Sequence, residues 1–351
     1  MIVKKRIKRI FLFVLLLVFL GCFKKPTSVG GDTQLFVVAD STDWVVLEPT
    51  FRDVFEQVIK TPQPEKVFGV NWVPAKRFSE FATKRNLIIT GALQSEGEIN
   101  QKIANMLSLE VKNRVMDGSA FVFPKENPWA KEQLLVVLVS NTLTELQDNM
   151  IKNKEYLYNL FEKKLLEETS KQMYHTLEQK DLAEELLQKY GWTLRIQHDY
   201  IVNIQRSQAR FVMLRRSLPG RERWLFVHWI EEADSSLINE TWAINTRNRL
   251  TNKFYENDKI NGEYTHSDEI EFLHRKALRL EGLWENEEKM AGGPFRSYCF
   301  YDQPSRRIYI IDIAVFFPGG DKEPFLRQLD IMAHTFKTAY EVKHDTNQKA
   351  S

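Results

Sequence analysis

The N-terminus restricts what this chain can fold into more than any other feature of the sequence. Five basic residues among the first nine precede an unbroken apolar run of eleven residues, 10–20, which ends at Gly21 and Cys22. As a helix, such a run spans roughly 16 Å at about 1.5 Å per residue, about half of a ~30 Å bilayer core. The pattern therefore indicates a secretory signal peptide rather than a transmembrane helix.

A small residue directly before Cys22 is typical of a bacterial lipobox, in which the cysteine is lipidated and becomes the mature N-terminus. The alternative is a cleaved, non-lipidated signal with an incidental cysteine, but the region has no Ala-x-Ala site. We predict an acylated Cys22, with palmitate as a typical chain, because several acyl chains anchor a protein stably whereas one does not. The predicted location is the bacterial cell envelope, on the inner or outer membrane and facing the periplasm.

Charge and composition narrow the function classes. The chain has 49 basic and 47 acidic side chains, and five of the basic ones belong to the leader, so the mature protein has no basic excess. No nucleic-acid partner is therefore predicted. A hydrophobic content of 43% with 12% aromatic residues predicts a packed globule rather than a disordered chain.

No cofactor or metal is predicted from the sequence. The seven histidines form no i, i+4 pair, and HExxH, CxxC, GxSxG and P-loop patterns are missing. With Cys22 committed to lipid, Cys299 has no partner for an intrachain disulfide. We expect Cys299 to be a small buried hydrophobe in a strand rather than a reactive thiol.

Strands and helices interleave in the first half of the mature chain, which predicts an α/β layer structure. Apolar runs predict strands at 34–39, 66–73, 86–90, 119–123 and 133–139, and helical spacing predicts helices at 49–59, 75–83 and 97–105. Thr142 and Glu145 have capping-box spacing, so a long helical segment is predicted from there to Gly191.

The second half reads as an antiparallel sheet flanked by helices. Strands are predicted at 192–196, 200–204, 210–216, 223–230, 273–284, 295–301 and 307–317. Helices are predicted at 235–254 and after Asp321, which is expected to cap the last helix. The predicted fold class is α+β: an N-terminal α/β layer domain, a long helical connector and the C-terminal antiparallel sheet. The predicted segments are a signal peptide with lipobox (1–22), a flexible tether (23–33), the N-terminal α/β domain (34–141), the helical connector (142–190), the C-terminal α+β domain (191–340) and a disordered tail (341–351).

Two groups of residues in the second half are candidates for a ligand or partner surface. The segment Gly292, Gly293, Pro294 and Phe295 reads as turn geometry, or, with Trp284 nearby, as a mobile rim over a site.

Asp312 forms the second group, because alternation places it on an apolar strand face, where a carboxylate needs a partner. Arg279 and Glu281 on a neighbouring strand, or Arg215 and Arg327, could supply that partner. A structural ion pair and a polar cluster kept for a ligand both remain open.

Several C-terminal motifs resemble a family of uncharacterised bacterial lipoproteins classed as domain of unknown function 4837. They are GLW at 282–284, GGPFxSY at 292–298, FPGxDK at 317–322 and LRQLD at 326–330. The resemblance implies an envelope lipoprotein of two-part architecture, without an established activity or catalytic residues. The C-terminal topology is also similar to Mog1/PsbP-like α/β/α sandwiches, which are mostly binding or assembly modules.

Two function classes follow. The first is a lipid-anchored, non-enzymatic envelope protein that binds a protein partner or ligand of unknown specificity, with the membrane reached through the anchor. The alternative is an envelope hydrolase acting on peptidoglycan or glycan, with Asp312 and Glu281 as acid–base residues.

Overall fold

The protein is described by a computed structural model that covers residues 25–59, 61–254 and 257–350. The predicted signal peptide and Cys22 lie outside the described residues. Within these ranges no helix is both long and apolar enough to cross a membrane. The chain divides into two compact units: unit 1 runs up to Phe55 and continues over Phe68–Phe161, and unit 2 combines Glu56–Val67 with the chain from Glu162 onward.

Unit 1 is built on a five-stranded sheet with the order β4-β1-β5-β7-β6, parallel except for β6. Two adjacent strands of the sheet, β5 and β7, read as near-continuous apolar runs because both of their faces are buried. The strands are β1 (Gln34–Ala39), β4 (Gly69–Pro74), β5 (Asn86–Ala92), β6 (Val122–Glu126) and β7 (Leu134–Ser140). The helices are α1 (Ser41–Phe55), α2 (Phe78–Phe81), α3 (Glu98–Met106), α4 (Leu109–Met116) and α5 (Leu143–Lys152).

Helix α1 begins eight residues earlier than the predicted 49–59 and contains Pro49. Phe51, Val54 and Phe55 face the core as the periodicity indicated, but Val58 lies in the short strand β2 (Val58–Ile59). Pro49 was expected to begin the helix but lies inside it, because the first turn forms earlier, with a bond from Trp44 N to Asp40 O at 2.9 Å. Helix α4 was not predicted, since it buries only Val115 and so has little apolar periodicity.

The described residues of the predicted flexible tether, from Lys25 onward, are bound to the rest of unit 1. Lys131 N donates to Pro26 O at 2.8 Å, and Ser28 N donates to Lys131 O at 3.0 Å. Val29 continues this pairing, as its amide donates to Thr83 O at 3.1 Å. Backbone pairing of this kind fixes a polar segment that has few side chains to bury.

Unit 2 is built on a seven-stranded antiparallel sheet with the order β12-β13-β14-β15-β11-β10-β9. The strands are β9 (Ile201–Arg206), β10 (Phe211–Leu218), β11 (Arg221–Glu231), β12 (Lys259–Phe272), β13 (Arg275–Asn286), β14 (Ala291–Asp302) and β15 (Arg307–Phe316). The short strands β3 (Glu65–Lys66), β8 (Trp192–Thr193) and β16 (Lys337–Thr338) pair outside it, β3 with β2 and β8 with β16.

Helices cover both faces of this sheet. Helix α8 (Glu240–Phe254) packs on one apolar cluster, and α7 (Lys180–Tyr190) and α9 (Glu323–Ala333) pack on the other. Helix α6 (Lys154–Tyr174) leads into the unit, and α10 (Ala339–Ala350) ends it. The predicted α+β fold class is confirmed: a parallel α/β sheet, connecting helices and an antiparallel sheet between helical layers.

The sequence missed strand β12 and helix α10. Strand β12 lies at the sheet edge, so most of its side chains are exposed or half-buried and its apolar alternation is weak. Residues predicted as a disordered tail instead form α10, because the Glu341 carboxylate accepts bonds from Thr338 N and Oγ1 at 2.8 and 3.1 Å and pairs with Arg275 at 2.9 Å.

Helix α9 is capped by a residue from far away in the sequence. The Glu65 carboxylate accepts bonds from Lys322 N and Glu323 N, both at 2.7 Å. The sequence predicted Asp321 for this role, but that residue is exposed. Glu65 takes its place because the hairpin β2–β3 belongs to unit 2.

Candidate functional site

Trp284 lies flat across the neighbouring strand because that strand carries glycine at the crossing point. Trp284 and Gly293 are directly paired in the sheet, and Trp284 Nε1 donates to Val315 O, one strand further on, at 3.2 Å. A Cβ at Gly293 would lie 2.0 Å from Val315 O and 3.0 Å from Trp284 Nε1. The glycine therefore serves close packing rather than a turn.

The prediction that residues 292–295 form a mobile rim over a site is wrong. Gly292, Gly293, Pro294 and Phe295 all lie within β14, and the last three are buried. The hairpin between β13 and β14 turns just before them, where Met290 has a positive φ of 48° and is 95% exposed.

A cleft opens beside this hairpin, on the α8 face of the sheet, with a volume of about 200 Å³. Three aromatic rings form its floor: Trp224 and Trp284 are 5.3 Å apart between centroids, and Phe316 lies 6.2 Å from Trp284. We call this the aromatic cleft. Its remaining lining residues are Met213, Arg215, Glu222, Asp258, Lys289 and Ala291.

Charges around the aromatic cleft are balanced. Arg215 and Glu222 form a half-buried ion pair on adjacent strands. Asp258 accepts a bond from Asn286 Nδ2 at 2.8 Å, and Lys289 N donates to Asn286 Oδ1 at 3.0 Å. Two cations and two carboxylates surround an apolar floor, which favours an uncharged ligand that has a flat apolar face and polar edges.

Asp312 lies deeper on the same face and is fully buried. Its partner is Arg247 of α8, whose Nε donates at 2.7 Å, and Ser297 also donates to the carboxylate. The Arg247 guanidinium stacks 4.2 Å from the Phe295 ring centroid. Burial raises the pKa of Asp312 above its usual range, although Arg247 and Ser297 oppose this shift.

None of the four partners predicted for Asp312 contacts it. The sequence offered a signal for Arg247, which lies on the buried stripe of α8 together with Ala243 and Leu250 at i, i+4 and i+7. A cation on an apolar helical face needs a buried carboxylate as much as Asp312 needs a cation.

Asp312 and Glu281 cannot act as an acid–base pair, because they lie on opposite faces of the sheet. Glu281 pairs with Arg296, and Asp312 pairs with Ser297. Arg296 and Ser297 are consecutive in β14, so their side chains point to opposite sides. This geometry contradicts the acid–base pair on which the hydrolase hypothesis depended.

Arg279, Glu281 and Arg327 instead belong to a network on the α9 face. Arg296 bridges Glu281 at 2.8 Å and Asp330 at 2.9 Å. Arg279 pairs with Asp268 at 3.1 Å, and Arg327 pairs with Glu323 at 3.4 Å. The nine candidate residues therefore divide between two faces, and only Trp284 lines the aromatic cleft. Their role as a ligand surface stays a prediction.

Cys299 is buried in β14, and burial raises its pKa far above the usual value, with a further contribution from Asp312. The thiolate required for reactivity is therefore disfavoured. Across the described ranges, no group of three or more His, Cys, Asp or Glu side chains is placed to hold a metal ion.

Comparison with known proteins bears on both units. Residues 179–335 match the family model of a domain of unknown function, DUF4837. The aromatic cleft lies within this DUF4837 segment, and the resemblance seen in the sequence is confirmed there. Residues 28–174 match a second domain of unknown function, DUF8532, and no curated protein matches the chain.

Two solved structures overlap with part of the chain. A Mog1 protein carrying the E65A mutation is 11% identical with a TM-score of 0.31, covering 42% of this chain and 91% of its own. LpqN of Mycobacterium tuberculosis, described as involved in cell envelope biogenesis, is 9% identical with a TM-score of 0.26, covering 42% and 82%. The fold is assigned from the topology above, and neither overlap bears on function.

Proposed function

We propose that this protein is a lipid-anchored, non-enzymatic binding protein of the bacterial cell envelope, and that its DUF4837 domain contacts the ligand through the aromatic cleft. The aromatic cleft is the single observation that supports a binding role: it combines three rings with hydrogen-bonding groups at its edge. The lipobox pattern ending at Cys22 supports the anchor and a periplasmic location.

The balanced charges favour an uncharged, polar ligand with one flat apolar face. A sugar ring has this character, since its C–H groups pack on indole rings while its hydroxyls reach charged side chains. Envelope glycans, or a partner protein carrying a glycan, are therefore the first ligands to test.

Anchoring is tested by mass spectrometry of the processed protein isolated from membranes. We expect a mature N-terminus at Cys22 with a mass increase that corresponds to acyl chains. A free thiol at that terminus, or cleavage elsewhere, would refute the anchor.

Binding is tested by titrating the full chain with soluble envelope glycans while tryptophan fluorescence is followed. We expect Arg215→Ala to weaken binding at least about tenfold, which corresponds to about 1.4 kcal/mol. Arg216→Ala is the matched control, because Arg216 points to the other face of β10 and pairs with Asp199 at 3.1 Å. Equal binding by both variants, or no binding by the parent protein, would argue against the aromatic cleft as the glycan site.

A further inference from the structure

A second cavity lies wholly within unit 1 and is apolar at its base. It has a volume of about 580 Å³, and its floor consists of Ile89, Ile99 and Leu135, which are almost fully buried. Phe78 and Trp129 form a side wall, with their rings at 76° and centroids 5.7 Å apart. We call this cavity the unit 1 slot. The other lining residues are Lys102, Asn105, Met106, Lys125 and Pro128.

Polar groups of the unit 1 slot are confined to its rim. Lys102 pairs with Glu98 at 2.6 Å and lies 5.3 Å from the Phe78 ring centroid. Lys125 and Asn105 are exposed. A polar ligand would lose its hydration at the floor without gaining partners there, whereas a hydrocarbon chain would not. The slot therefore selects an apolar chain.

The start of the described chain runs beside the unit 1 slot. Lys25 Nζ donates to Asn127 O at 2.6 Å, and the backbone of Pro26 and Ser28 pairs with Lys131. Asn127 and Lys131 flank Pro128 and Trp129, which line the slot. The N-terminal segment is thereby bound to the residues on either side of this part of the lining.

The distance from Lys25 back to Cys22 is short. Three residues span at most about 11 Å even when fully extended. An acyl chain on the Cys22 thiol or amine is therefore tethered within that distance of Lys25, which contacts Asn127 beside the lining of the unit 1 slot.

We infer that the unit 1 slot holds one of the acyl chains carried by Cys22. This inference rests on the proposed lipidation. Moving a chain between the bilayer and an apolar cavity exchanges one apolar environment for another, so little transfer energy is lost. The short connection gives an effective concentration of order millimolar or higher, which favours this chain over lipids from elsewhere. The remaining chains stay in the bilayer and keep the protein anchored.

The test uses cells that incorporate a diazirine-bearing palmitate analogue into their lipoproteins. The intact processed protein is purified, irradiated and digested, and cross-linked peptides are mapped by mass spectrometry. We expect the analogue on Cys22 to cross-link to peptides from 98–106 or 125–135. Absence of the analogue from Cys22 would refute the lipidation, whereas a labelled Cys22 that cross-links only elsewhere would refute the slot.

Two variants sharpen the result. Met106→Glu places a carboxylate in the lining of the unit 1 slot and should lower the cross-link yield at least about tenfold. Leu109→Glu is the control, since this residue is 74% exposed on α4 and does not line the slot. In Cys22→Ser, added free analogue should label the slot only weakly. Equal yields from both glutamate variants, or strong labelling of Cys22→Ser by free analogue, would contradict the inference.

Discussion

Asp312 and Arg247 form a buried ion pair in which each charge depends on the other. Both side chains are fully buried and are joined at 2.7 Å. Withdrawing two charges from water is costly, so such a pair adds little net stability. Removing one member, however, leaves the other charge buried without its counterion.

Asp312→Asn should therefore lower the free energy of unfolding by about 3–5 kcal/mol. Urea denaturation measures this change. The control Asp199→Asn alters only exposed contacts, with Arg216 at 3.1 Å and His198 at 3.2 Å, and should change stability by less than about 0.5 kcal/mol. A loss of ligand binding by Asp312→Asn at unchanged stability would favour a functional carboxylate.

Gly293 is a second position at which adding a single methyl group is expected to change the stability of the protein. Gly293→Ala should lower the free energy of unfolding by about 1–3 kcal/mol, because the new methyl group would overlap Val315 O and press on the Trp284 indole. We expect an accompanying change in tryptophan emission. Gly69→Ala, in β4, meets nothing within 4 Å and should leave stability nearly unchanged. Similar stability of the two variants would show that β14 accommodates the added methyl group without a loss of stability.

At the scale of elements, the N-terminus of α9 depends on a carboxylate brought by a short hairpin. An acidic group at this end satisfies unpaired amides and interacts favourably with the helix dipole. Glu65 provides both, and Lys322 Nζ lies 3.5 Å from its other oxygen. Asp321 is adjacent in sequence but does not take this role.

Glu65→Gln should lower stability by about 0.5–2 kcal/mol, because the amide caps the helix less well than the carboxylate. Thermal unfolding measures the difference. Asp321→Asn removes the charge expected from the sequence to cap α9 and should have no measurable effect. A larger loss of stability for Asp321→Asn than for Glu65→Gln would mean that Asp321 caps the helix.

Glu323, in the first turn of α9, makes stability depend on pH. Burial raises its pKa to about 7; Arg327 opposes the rise, Glu65 adds to it, and Arg296 and Glu162 act more weakly. The folded state holds the Glu323 proton more tightly than the unfolded state does. The contribution of this proton to the free energy of unfolding is therefore complete below the unfolded pKa near 4.5, and it is lost as the pH rises through 7. Glu323→Gln should thus be up to about 3 kcal/mol more stable than the parent at pH 8.5.

The same variant should match the parent at pH 4. Urea unfolding at both pH values tests the expectation. Parallel stability curves across this range would show that Glu323 titrates alike in the folded and unfolded chains.

Elements with strong apolar periodicity were the ones that the sequence predicted well. Strands β7 and β15 are buried on both faces, and every central strand of unit 2 was found. Strand β12 and helix α4 were missed because they expose most of their side chains. Partners in space, such as Arg247 for Asp312 and Glu65 for α9, depend on sheet order and register, which a single sequence does not specify.

At the scale of the whole molecule, unit 2 is discontinuous in sequence. Glu56–Val67 lies far from the rest of the unit along the chain, yet it supplies the cap of α9. A chain that starts at residue 162 therefore keeps the antiparallel sheet and loses the cap.

We expect residues 162–351 alone to melt at a lower temperature than the same residues preceded by 56–67 on a flexible linker. The added segment restores the two backbone bonds to Glu65. The control is the same linked chain carrying the substitution Glu65→Gln. Identical melting temperatures for all three chains would show that the hairpin contributes nothing to unit 2.

The remote cap of α9 also bears on how such proteins can diversify. A gene segment encoding only the C-terminal half would not carry the codon for Glu65, so a fusion to a foreign N-terminal half would inherit an incomplete helix. Exchange of halves between paralogues should succeed only where the incoming half brings an acidic hairpin of its own, and the two halves are then expected to be inherited together.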